Sequence, residues 1–230
     1  MDGDLKIHVV RVFVDQNGKF GNPVGIILDE GKKLDNNQRR QIATRLGYSE
    51  SVFINSLATG NVSIFNPLEE ISFAGHALVG TAWLTNKIAG KPLDSLECAG
   101  GLVKTWPEAD CTWIRASLAM LPPWHYEQMK NPAEVDRLSS ATTSSKSHTF
   151  MWAWLDENRG LVRARTFAPD WGIPEDEANG SGSMLLAASL GRRLKIRHGR
   201  GSVIYAQPRG PDFVDLGGRA AEDRPAPSTV

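Results

Sequence analysis

The chain carries one segment plan twice. In the first copy Phe65-Asn66-Pro67 ends an apolar, strand-like run, because proline cannot donate to a ladder. An acidic spacer leads to a small-residue turn, Phe73-Ala74-Gly75-His76-Ala77, after which Leu78, Val79, Ala82, Trp83 and Leu84 recur at helical spacing. In the second copy Phe167-Ala168-Pro169 runs through Asp170–Glu177 to Ala178-Asn179-Gly180-Ser181-Gly182-Ser183. Met184, Leu185, Leu186, Ala187 and Leu190 then read as a buried helix. A glycine at the start of a helix lets a ligand approach bare backbone N–H groups. Those groups and the helix dipole favour an anion. Each copy by itself is also what an ordinary loop-to-helix junction looks like, and two such junctions can match by chance. As a repeat, they predict a pseudo-symmetric protein with a ligand between its halves.

Length and charge narrow the classes. A chain of 230 residues holds one large domain or two small ones, and an apolar share of 41% is ordinary for a globular protein. Formal net charge is zero, so there is no electrostatic case for nucleic acid or an anionic membrane. The basic cluster Arg192-Arg193-Leu194-Lys195-Ile196-Arg197 reads as a helix end and a solvated edge. Cys98 and Cys111 make no disulfide framework and read as small buried apolar residues. No Cys/His spacing fits a metal site. No apolar run is long enough to span a bilayer, and Met1-Asp2-Gly3-Asp4 lacks signal-peptide character. The expectation is a soluble cytoplasmic protein.

Ile7–Val14 alternates and is rich in β-branched residues, a strand signature. Asp15-Gln16-Asn17-Gly18 is a turn, and Gly21-Asn22-Pro23 opens a second strand over Val24–Leu28. Asp35-Asn36-Asn37-Gln38 resembles a capping box, and the helix it starts ends at Gly47. Strands are predicted at 51–54, 62–65, 96–98, 102–104, 111–116, 150–155, 162–167, 202–206 and 213–216. Leu121-Pro122-Pro123-Trp124 looks like a boundary, and the polar Ser139–Ser147 stretch is a loop. The tail after about Gly218 shows no apolar periodicity and is expected to be disordered.

Glu50 sits immediately before an apolar run. A carboxylate there either points into a cleft, where partial drying raises its pKa and suits it to acid–base work, or stays solvated at a strand end. His8, His125, His148 and His198 read as structural or solvated. His198 and Tyr205 stay as minor candidates because a late strand there borders a possible cleft.

Four ordered motifs, GNPVGIIL, SESVFI, FNPLEEISFAGHALVGTAWL and ARTFAPDWGIPEDEANGSG, resemble the PhzF-like proteins of phenazine biosynthesis, which share the fold of diaminopimelate epimerase. The resemblance implies an α/β (α+β) fold of two pseudo-symmetric halves, each a mixed sheet wrapped round a central helix, divided here as 1–121 and 122–230. It places a catalytic glutamate at Glu50, a substrate-contacting histidine at His76 and an aspartate at Asp176, whose alternative role is to cap the second helix. It implies that Gly75, His76, Gly180 and Ser181 hold a substrate carboxylate, with Asn179 beside them in place of the usual threonine. The paired cysteines of the related epimerases are replaced by Ala74 and Asn179, which argues against two-base racemisation.

The activity implied is cofactor-free proton transfer within a small unsaturated or cyclic carboxylic acid in secondary metabolism, carried out by a homodimer. Hydrolytic carbon–carbon cleavage on the same scaffold and a non-catalytic binding protein are the alternatives. The span from Leu121 to Arg163 is shorter than the family pattern, so the second half is expected to lack one or more strands. The last strand is expected to break at Ala220-Ala221-Glu222-Asp223.

Overall fold

The structure is a computed structural model that describes residues 6–223. The chain opens with β1 (Ile7–Val14), β2 (Asn22–Leu28), α1 (Asn36–Leu46), β3 (Ser51–Ser56), β4 (Asn61–Phe65) and β5 (Glu70–Ile71). It continues with α2 (Gly75–Ala89), β6 (Ser95–Cys98), β7 (Gly101–Glu108) and β8 (Cys111–Ser117). The second half comprises β9 (His125–Gln128), α3 (Pro132–Asp136), β10 (Thr149–Asp156), β11 (Leu161–Ala168) and β12 (Ile173–Asp176). It ends with α4 (Gly180–Ser189), β13 (Leu194–His198), β14 (Ser202–Arg209) and β15 (Phe213–Asp223). No helix among the described residues is long and apolar enough to cross a membrane.

The strands form one continuous sheet in the order β1-β2-β3-β4-β6-β7-β8-β15-β14-β13-β11-β10-β9. β15 joins the halves. Its Phe213–Gly218 part pairs with β8, whereas Arg219–Asp223 pairs with Val9–Val14 of β1. That second pairing closes the first half into a barrel around α2. The second half curves around α4, but its path stops at β9.

The halves match element by element. β2–β3 and β9–β10 are parallel pairs, as are β4–β6 and β11–β13. β3–β4, β6–β7 and β7–β8 are antiparallel, and so are β10–β11, β13–β14 and β14–β15. Among the described residues only β1 has no counterpart, so the expected shortening of the second half amounts to one strand.

Local chemistry sets the helices. Asp35 caps α1, accepting from the Gln38 N–H at 2.8 Å, while the Gln38 side chain accepts from the Asp35 N–H at 2.9 Å. Gly47 stops α1 in a left-handed conformation, φ 68°. α2 is buried from Gly75 to Thr85 except for the partly exposed Trp83, as expected of a helix apolar on all sides, and its last turn is exposed. Gly80 lets strands lie directly on it: a Cβ there would stand 2.7 Å from Val12. The main core runs through both halves, including Val10, Val24, Leu78, Met184 and Leu216.

Two expectations need correction. Residues 192–197 only begin at a helix end, where the Arg192 N–H donates to the Ala187 carbonyl at 3.2 Å; from Leu194 the cluster is β13, with Leu194, Ile196 and His198 inward and Lys195 and Arg197 on the solvated side. The chain is not disordered from Gly218: Ala220–Asp223 continue β15, held in register by β1. The rest of the predicted tail, 224–230, lies outside the described residues.

Candidate active site

The starts of the two repeated helices meet. A Cβ placed on Gly180 would lie 3.4 Å from Gly75 Cα and 3.3 Å from the His76 backbone nitrogen. A Cβ on Gly75 would stand 2.7 Å from Leu216 Cδ2 and one on Gly180 3.0 Å from it, so glycine in each copy of the repeat keeps the junction uncrowded. Two positive helix ends brought together are unfavourable unless negative charge stands near them. Ala74, the residue before α2, offers no side-chain cap to the first-turn N–H groups. At α4, Asn179 Oδ1 accepts from the Gly182 N–H at 2.6 Å.

Glu50 and His76 converge on this junction. Glu50 lies in the link between α1 and β3, and β3 is fixed between β2 and β4. His76 is the second residue of α2. Glu50 Oε2 and His76 Nε2 are 3.2 Å apart, and their side chains are 17% and 7% exposed. Both atoms are buried without a hydrogen-bond partner among the described residues. The separation is that of an ion pair, but the direction is not that of a hydrogen bond.

Burial pushes the Glu50 carboxyl up to about 7, partly opposed by the Ser49 hydroxyl. Burial pushes His76 down to about 4 despite the pull of Asp176, and its place in the first turn of α2 works in the same direction. His76 is therefore neutral at pH 7. The pair is a carboxyl group near its midpoint beside a neutral imidazole, not a salt bridge.

Asp176 comes from the other half, at the end of β12. Burial raises it to about 6, with His76 opposing and Glu50 adding to the rise. Its Oδ1 accepts from Asn22 Nδ2 at 2.9 Å and the Ala178 N–H at 3.0 Å, and its Oδ2 from Asn179 Nδ2 at 2.9 Å. Asp176 does not cap α4. Asn179 does, with both ends of its side chain engaged, and Asp176 fastens it.

Three contributors were missed by sequence reasoning. Asn22, noted only as opening a strand, crosses between the halves to Asp176. Its signal was a polar side chain at the start of a strand buried on both faces. Trp124 Nε1 donates to Ser181 Oγ at 2.9 Å, and Tyr126 OH to the Gly182 carbonyl at 2.8 Å. No spacing pointed to either. The two minor candidates fall away from the site. His198 is fully buried, bonded to Thr166 Oγ1 and the Glu177 carbonyl at 2.9 Å each. Tyr205 packs beside Trp113, with ring centroids 6.0 Å apart.

The arrangement thus joins a repeated glycine junction, a raised carboxyl and a neutral imidazole. Residues 10–154 match the model of the phenazine biosynthesis-like protein family, PhzC-PhzF. The chain belongs to this family. It is 28% identical to an uncharacterized isomerase of Deinococcus radiodurans, over 81% of this chain and 77% of that protein. It is 27% identical to the trans-2,3-dihydro-3-hydroxyanthranilate isomerase of Pseudomonas aeruginosa, over 78% of each. The crystal structure of a PhzF family protein from Enterococcus faecalis superposes with a TM-score of 0.78 at 17% identity, covering 96% of this chain and 97% of that one. A hydroxyproline epimerase from Agrobacterium vitis superposes with a TM-score of 0.67 at 12% identity, over 96% and 91%. The fold is that of the diaminopimelate epimerase-like proteins, and the PhzF-family chain is an isomerase.

Proposed function

We propose that the protein moves a proton within a small unsaturated or cyclic carboxylic acid without a cofactor, as a step of secondary metabolism. The observation that carries this reading is the 3.2 Å approach of Glu50 to His76 beside the joined starts of α2 and α4. The first-turn N–H groups at Gly75, His76, Gly180 and Ser181 hold the substrate carboxylate and position the reacting carbon. Glu50, with a pKa near neutrality, takes a proton from one carbon and returns it at another. Neutral His76 donates a hydrogen bond to charge that develops on the conjugated system. Asp176 orients the junction through Asn179 and Asn22. The name of the Pseudomonas aeruginosa relative supports a cyclic dihydro acid as the first compound to try.

The test is turnover of trans-2,3-dihydro-3-hydroxyanthranilate and a panel of dienoic and cyclic acids in heavy water and in oxygen-18 water. Deuterium at carbon without solvent oxygen in the product supports isomerisation. Solvent oxygen in the product means hydrolysis, and binding without either label means a binding protein.

A further inference from the structure

The two halves treat the second residue of their repeated helices differently. Phe65 pairs with Ser51 and Phe167 with Thr149, and Ser51 lies beside Gly25 as Thr149 lies beside His125. This register equates Val24 with Trp124 and, at the helix starts, His76 with Ser181. In the first half Val24 is a core residue against Gly80, and His76 faces Glu50. In the second half Trp124, at the entry of β9, reaches α4, and its indole Nε1 donates to Ser181 Oγ at 2.9 Å. Tyr126, two residues on and so on the same face, donates to the Gly182 carbonyl at 2.8 Å.

Trp124 is held from behind. Trp171 stands edge-on to it with ring centroids 4.9 Å apart, and His148 does so at 5.8 Å. His148 in turn stacks on Trp171 at 4.2 Å and is fixed by a 2.7 Å bond between its Nδ1 and Asp170 Oδ2. An indole N–H can only donate, so Ser181 Oγ is the acceptor and its own proton points elsewhere. Ser181 is buried, and among the described residues its hydroxyl makes no other hydrogen bond. The accepted bond polarises the hydroxyl and strengthens it as a donor.

We propose that Trp124 is a positioning residue: it fixes the Ser181 hydroxyl as a donor to the substrate carboxylate, a side-chain bond added to the backbone N–H groups at the helix starts. This role rests on the carboxylate grip of the proposed function and not on the proton transfer. Donation to a carboxylate is charge-assisted, so the bond is among the stronger ones open to a neutral side chain. It gives the second half a contact that the first lacks, since the corresponding His76 side chain is turned to Glu50.

The test is titration calorimetry of the full chain with benzoate, a cyclic carboxylate that cannot be isomerised. Trp124→Phe keeps an aromatic ring and removes the N–H, and Ser181→Ala removes the hydroxyl. Each should weaken benzoate binding about tenfold, the worth of one charge-assisted hydrogen bond, and the double variant should lose no more than either alone. A Trp124 that serves only packing would give losses that multiply. Unchanged affinity in either single variant, or multiplied losses, overturns the proposal and leaves the backbone grip standing. A wild type that does not bind benzoate removes the grip and the proposal together. Absence of carbon-bound exchange with this coupling intact would count against the proton transfer alone. Should Trp124→Phe misfold, the indole N–H resonances decide: the one that Ser181→Ala moves should also move when benzoate binds to the wild type. A resonance that benzoate leaves in place contradicts the proposal.

Discussion

Asn22 Nδ2 lies 2.9 Å from Asp176 Oδ1, a bond between residues 154 positions apart that ties β2 to the entrance of α4. It couples the two halves beside the Glu50–His76 pair, through the carboxyl that also fastens Asn179. Asn22 is the donor to Asp176 that comes from the first half, while Ala178 and Asn179 give the others.

Replacing Asn22 by alanine leaves Asp176 with a weakened hold on its charged form. The expected cost is about 1–3 kcal/mol of stability, the penalty for a buried polar group that loses a partner. Urea unfolding measures it. Activity should fall as well, since Asp176 and, through it, Asn179 lose their alignment across the halves. An Asn22→Ala protein with wild-type stability and turnover would remove Asp176 from the scheme.

The glycine junction makes a steric prediction. In Gly180→Ala the new methyl would stand 3.0 Å from Leu216 Cδ2 and 3.3 Å from the His76 backbone nitrogen. Leu216 is fully buried, so the neighbours have little room to give. Overpacking of this kind costs roughly 1–3 kcal/mol. The two helix starts should also part, and carboxylate binding should weaken more than stability alone explains. Calorimetric titration with a substrate carboxylate compares the two proteins.

The raised carboxyl predicts a pH dependence with a definite sign. Glu50 holds its proton more tightly when folded, up to about 7 against an ordinary 4.5. Its contribution to stability is full below 4.5 and is lost as pH rises toward 7. Glu50→Gln is free of that loss, so the variant should exceed the wild type by roughly 3 kcal/mol at about pH 8.5 and by much less at about pH 5. Thermal unfolding across that range gives the comparison. In the wild type, kcat/KM should rise with pH to a plateau, with its midpoint near 7.

Much of this architecture was legible in the sequence because its signals are local. The capping box at Asp35 and Gln38, the stop at Gly47 and the Gly75 and Gly180 turns each need only neighbouring residues to be read. Glu50 was found as a polar residue before an apolar run, and the family resemblance chose between its two readings. What failed was non-local or misweighted. Ala220–Asp223 have no strand pattern of their own, and β1, more than two hundred residues earlier, holds them extended. The basic side chains at 195 and 197 hid a period of two whose inward members, Leu194, Ile196 and His198, were visible. The Asn22–Asp176 and Trp124–Ser181 bonds depend on how the sheet closes, which no spacing along the chain expresses.

The most direct test of the central claim is Glu50→Gln, assayed by exchange of carbon-bound hydrogen in heavy water. The proposed scheme predicts loss of exchange by roughly a thousandfold or more, with substrate affinity changed by no more than a few-fold, because it assigns the carboxylate grip to the helix starts. Exchange at the wild-type rate in that variant would contradict the assignment of Glu50 as the proton carrier.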